Sequence, residues 1–181
     1  MRRRRPALLL AAASLALLGA TAPQSSDIEY QCQADENARG TSRAFPLDDA
    51  PYAVSGRVRV DRKADQSSAA FVASATAQIF SRDGRNGVYL ILGGDSQFLG
   101  ETVTATLVHI RDGRQRDQYE FGLFRVGVPL RFSLSLDENG RAEARLGTRT
   151  ARLRADPLDR AIAVLSCALG SFTFSEVRLG Q

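Results

Sequence analysis

The chain has 181 residues, the size of a single domain. With 44% hydrophobic and 24% charged residues, 15 Gly and 6 Pro, it is neither collagen-like nor wholly disordered. The net charge of +4 is carried by Arg2, Arg3, Arg4 and Arg5; past residue 20 there are 20 basic and 20 acidic residues, which argues against a basic nucleic-acid-binding protein.

The chain opens with this basic run, followed by 15 apolar residues from Pro6 to Ala20 and then small residues, Thr21 and Ala22. That order predicts a secretory signal peptide over residues 1–20, cleaved in the Ala20–Ala22 region, with the mature chain beginning near Thr21. The apolar stretch is shorter than the ~20 residues needed to span a bilayer, so no transmembrane segment is expected after cleavage. The arginine pairs raise a twin-arginine route, but the strongly hydrophobic segment and the lack of a cofactor motif favour the general secretory route. A single Lys (Lys63) stands against 23 Arg, which reads as the usage of a GC-rich bacterial genome. The protein is expected to be periplasmic or secreted.

Residues 21–50 form a polar, turn-rich lead-in with few large apolar side chains, among them Ile28, Tyr30 and Phe45, joined to the domain at Cys32. From residue 51 to 181 the pattern has period two, the mark of half-buried strands. Val54, Val58 and Val60 share one face; Phe71, Ala73, Ala75, Ala77 and Ile79 alternate next. Val88–Leu92 is a continuous apolar run suited to a central strand. Val103, Ala105 and Leu107 alternate, and Asp112-Gly113 turns the chain toward Tyr119, Phe121 and Leu123. Phe132, Leu134 and Leu136 should face the core with Ser133 and Ser135 outward, and Phe132 should meet Phe172 or Phe174. Asp137–Gly140 then turns the chain, since Asn and Gly tolerate positive φ. Thr148–Arg154, Ala161–Ala168 and Ser171–Leu179 complete about ten strands. The best helix candidate, Asp156–Arg160, is one turn at most. Many short strands with polar turns predict an all-β, antiparallel sandwich or barrel.

Cys32 and Cys167 are the two cysteines, 135 residues apart. Outside the cytoplasm such a pair is expected to form a disulfide bond, and the spacing fits no metal motif.

Three segments carry a resemblance: Val128–Gly140 (VPLRFSLSLDENG), Ala142–Gly147 (AEARLG) and Leu165–Val177 (LSCALGSFTFSEV). An apolar strand, a D-x-x-G turn, a short return strand and a final aromatic strand resemble the concanavalin A-like, or laminin-G-like, jelly-roll superfamily. The resemblance implies a jelly-roll β-sandwich. It leaves function open, because that fold hosts lectins, glycan hydrolases and adhesion modules.

The residues bear on four chemistries. The glucanases of that superfamily carry an E-x-D-x-x-E strand; the sequence has none, and its acidic pairs, Asp35-Glu36, Asp48-Asp49 and Asp137-Glu138, fall in polar segments. Gly94-Asp95-Ser96 resembles the nucleophile block of GDS-type hydrolases, but the sole histidine, His109, is only 13 residues beyond Ser96, so Ser96 reads as a turn residue and His109 as a strand residue. No cofactor is implied; a structural calcium on the turn residues Asp83, Asp95, Asp112 and Asp117 stays open. Carbohydrate binding would use exposed rings, and Tyr89 and Tyr119 are the candidates. The reading that combines these is an exported bacterial β-sandwich without catalytic machinery, binding a glycan or another cell-envelope component and no nucleic acid. The alternative is a diverged concanavalin-like glycan-active enzyme.

Overall fold

A computed structural model describes residues 28–34, 40–63, 73–93 and 102–180. The expected signal peptide, Asp35-Glu36, Phe71, Asp95 and Ser96 lie outside these residues. The described chain is built of twelve strands: β1 (Ile28–Ala34), β2 (Thr41–Leu47), β3 (Tyr52–Lys63), β4 (Ser74–Ser81), β5 (Gly87–Gly93), β6 (Thr102–Arg111), β7 (Arg114–Arg125), β8 (Leu130–Leu136), β9 (Arg141–Leu146), β10 (Arg149–Arg154), β11 (Ala161–Ala168) and β12 (Gly170–Leu179). Asp156–Arg160 is not helical.

The strands form two six-stranded sheets. The first has the order β1-β12-β3-β8-β9-β10 and the second β2-β11-β4-β5-β6-β7; every pairing is antiparallel. The side chains on the facing surfaces make one apolar core, with Phe172, Phe174, Ile79, Leu90, Leu134 and Leu165 fully buried. Alternation assigns the faces, since neighbours two apart share a side. In β8, Phe132, Leu134 and Leu136 are buried while Ser133 and Ser135 point out. Phe132 meets Phe174 edge-on, with ring centroids 5.9 Å apart, a favourable aromatic geometry.

β1 and β2 come from the polar lead-in, where alternation gave no strand. Each is an edge strand of a different sheet. An edge strand pairs on one side only and needs few core residues; β2 buries just Phe45 and Leu47, and β1 buries Cys32. Cys32 is bonded to Cys167 on β11, Cα to Cα 6.0 Å. The bond therefore ties the edge of the first sheet to the second sheet across the core.

Two glycines are required by geometry. Gly140 closes the β8–β9 turn at φ 76°, and a Cβ there would lie 2.2 Å from the carbonyl oxygen of Ala155. Gly56 lies opposite a bulge of β12, where the register shifts between Ser175 and Arg178. A Cβ on Gly56 would sit 2.8 Å from the Ser175 carbonyl oxygen, so its absence lets the bulge approach. The bulge turns Glu176 outward to bond the Arg57 guanidinium.

Candidate functional site

The outer face of the second sheet departs from simple alternation. Apolar side chains occupy it as well as the core: Phe80, Val108 and Ile110 are buried there, with Tyr89, Ile91 and Ile162 packed against them. Register places these side chains and their outward neighbours in three rows across the sheet. One row joins Ile162, Phe80, Gly87 and Ile110; the next joins Val164, Gln78, Tyr89 and Val108; the third joins Ser166, Thr76, Ile91, Thr106 and Glu120. The apolar run predicted to suit a central strand is β5, which lies between β4 and β6, is buried on its core face and is half-buried on its outer face at Tyr89 and Ile91.

Tyr89 sits in the middle of this face. Its ring packs edge-on against Phe80 at 4.6 Å between centroids, and burial pushes its phenol pKa up. Its hydroxyl has no hydrogen-bond partner among the described residues. Directly across the ladder, Gln78 donates to the Thr76 hydroxyl (2.6 Å) and to the Ser166 hydroxyl (3.0 Å), and these two hydroxyls are 2.6 Å apart. An aromatic ring half-sunk in apolar neighbours thus lies beside a fixed polar triad on a sheet surface.

The structure separates Tyr89 from Tyr119. Tyr119 pairs with Leu107 and so lies on the core side of the sheet. It is 55% exposed nonetheless, because β7 is the edge strand. The next ring, Phe121, is the extra residue of the bulge between the Ala105–Gly122 and Thr106–Glu120 pairs, and it packs onto the core.

His109 points inward from β6 and is buried. One ring nitrogen faces Asp117 at 3.5 Å and the other Asp156 at 3.4 Å. Asp156 also accepts two bonds from the Arg111 guanidinium, which holds its carboxyl below the usual aspartate range. This cluster closes one end of the sandwich. No hydroxyl or thiol nucleophile contacts the imidazole among the described residues.

The turn aspartates are also engaged. The Asp83 carboxylate accepts from the Ser81 hydroxyl (2.5 Å) and the Arg85 amide (3.0 Å). The Asp112 amide donates to the Asn86 side chain at 3.0 Å, and its carboxylate lies 4.0 Å from Arg85. Among the described residues, no three His, Cys, Asp or Glu side chains are grouped to hold a metal ion. On the outer face of the first sheet, Asp137 and Glu143 line one cavity. Asp137 caps the β8–β9 turn through the Asn139 and Arg141 amides, and Glu143 is bonded by Arg145 and Arg152.

Two antiparallel sheets in this order make a jelly-roll β-sandwich of the concanavalin A-like kind. No family model matches the sequence, and no curated protein matches it. Among solved structures, an alginate lyase from Alteromonas sp. 272 matches at 11% identity over 88% of this chain and 90% of that chain, with a TM-score of 0.56. A galectin from Caenorhabditis elegans matches at 8% identity over 84% of this chain and 96% of its own, TM-score 0.55. A toad ovary galectin in complex with thio-digalactose matches at 9% identity over 78% of this chain and 98% of its own, TM-score 0.50. Likeness at such identities defines the fold.

Proposed function

We propose that this protein is an exported, non-enzymatic glycan-binding module and that the outer face of the second sheet receives the sugar at Tyr89. The observation that carries the reading is the pairing of a half-buried ring, its hydroxyl without a partner among the described residues, with the Gln78–Thr76–Ser166 triad. A pyranose presents an apolar C–H face and a rim of hydroxyls. The Tyr89 ring would take the first and the triad the second, with the apolar surround excluding water. Two of the solved structures it resembles are galectins, one of them bound to a galactoside analogue. The disulfide indicates an oxidising compartment, which fits a secreted or periplasmic protein.

The test is a glycan array with the purified protein, followed by calorimetry on the best neutral oligosaccharide. Tyr89→Ala should weaken binding by about tenfold or more, as loss of a buried aromatic contact does, and Tyr89→Phe should fall between the two. The bound glycan should be recovered intact. No binding to any glycan, unchanged affinity in Tyr89→Ala, or shortened sugar products would overturn the proposal.

A further inference from the structure

The opposite face of the sandwich has a different chemistry. Outward positions of the first sheet carry Arg57 and Arg59 on β3, Arg131 on β8, Arg145 on β9, Arg152 on β10 and Arg178 on β12. Register joins them across the sheet: Arg57 lies opposite Arg131, Ser55 opposite Ser133 and Arg178, and Ser133 opposite Arg145. Three carboxylates answer them. Glu176 bonds Arg57 at 3.0 Å, Asp61 bonds Arg59, and Glu143 is shared by Arg145 (2.5 Å) and Arg152 (2.6 Å). Arg131 and Arg178 are exposed and have no ion-pair partner among the described residues.

These groups line two recesses. One, of about 200 Å³, is bounded by Arg131, Arg178, Ser55 and Glu176. The other, of about 560 Å³, is bounded by Arg141, Arg152, Ser135, Asp137 and Glu143, with the Asp137 carboxylate held by the Asn139 and Arg141 amides. Ser133 and Arg145 lie between them on β8 and β9. The protein beyond residue 20 is neutral in total, so this concentration of guanidinium groups is a segregation of charge onto one surface.

We infer that the outer face of the first sheet is a second binding surface, for a linear anionic polysaccharide with a carboxylate or sulfate on its sugars. Guanidinium forks recognise such groups bidentately, and the serine hydroxyls between them suit the sugar hydroxyls. Among the described residues the face presents no aromatic side chain, so it lacks the stacking platform that single-stranded nucleic acid uses. Two separate recesses joined by a polar strip suit successive residues of one polymer chain better than a continuous lipid surface. The inference is independent of the sugar reading of the Tyr89 face, which lies on the other side of the molecule.

The experiment measures binding of polygalacturonate to the purified protein by calorimetry over a range of salt. Replacing Arg131 and Arg178 together by Gln should weaken binding about tenfold or more and flatten its salt dependence, as loss of charge contacts to a polyanion does. Glu143→Gln should strengthen binding, because it frees Arg145 and Arg152 from their shared counter-ion. Asp159→Asn changes net charge equally at an exposed position of the loop between β10 and β11 and should leave binding unchanged. Melting curves of all variants establish that they are folded. The inference is overturned if polygalacturonate does not bind, or if the arginine pair is dispensable. It is equally overturned if Asp159→Asn matches Glu143→Gln, or if single-stranded DNA or anionic phosphatidylglycerol vesicles bind the face more tightly than the polysaccharide.

Discussion

At the scale of single residues, the β8–β9 hairpin carries the sharpest expectations. Phe132 is buried against Phe174, and truncating it to Ala should cost about 3–5 kcal/mol, whereas Ser133→Ala, on the outer face, should stay within about 0.5 kcal/mol. Gly140→Val should destabilise for two reasons, the positive φ and the 2.2 Å approach to the Ala155 carbonyl. Thermal melts of the three variants check all of this; equal damage from Ser133→Ala and Phe132→Ala would refute the register. Asp156 gives a pH signature. Its bond to Arg111, with a smaller contribution from His109, lowers its pKa in the folded state below the ordinary 3.8. A group depressed on folding stabilises the native state above its unfolded pKa and loses that contribution as pH falls through the folded one. Melting temperatures measured from pH 6 down to pH 2 should therefore fall less steeply in Asp156→Asn than in the parent below about pH 4. Parallel curves would show that the Arg111 pair adds nothing. Among site residues, Tyr89 was legible as a ring on a strand. Its setting was not, because the polar triad is assembled from β4 and β11, which are 88 residues apart in sequence at Gln78 and Ser166.

At the scale of elements, the strands with regular alternation were readable: β8, β9 and β11 bury every second residue, and β3 as far as Val60, β4 and β12 do so except at Gly56, Phe80 and the β12 bulge, and period two identifies such strands without knowledge of their partners. The edge strands were not. β1 and β2 bury too little to show a pattern, and only their long-range pairing with β12 and β11 makes them strands. The outward apolar residues of β5, β6 and β11, among them Ile91, Val108 and Ile162, stand in the sequence at the second parity, but alternation alone does not show that they gather on one outer face. The arginines were the least legible element. Read singly they reflect residue usage; only the sheet register reveals that Arg57, Arg131 and Arg145 share a surface. The β12 bulge is hidden in the same way, since Gly56 and Glu176 become related only once β3 and β12 are paired.

At the scale of the whole molecule, the disulfide joins the two sheets, and its removal should be felt globally. The Cys32→Ala, Cys167→Ala double variant should lose up to about 5 kcal/mol, the ceiling for so long a loop, seen as a lower midpoint in urea under non-reducing conditions. The parent should show no free thiol when unfolded without reductant; two would mean that the bond does not form. The same topology has a consequence in time. β1 pairs with β12 and β2 with β11, so the earliest strands of the sandwich find their partners among the latest. Neither sheet can acquire these edges while the end of the chain is still being synthesised, and contacts so distant in sequence form slowly. Until then Phe45, Leu47 and Cys32 have no closed core to enter. The emerging chain should stay open to proteases and to thiol-modifying reagents until β12 is released, then become resistant in one step.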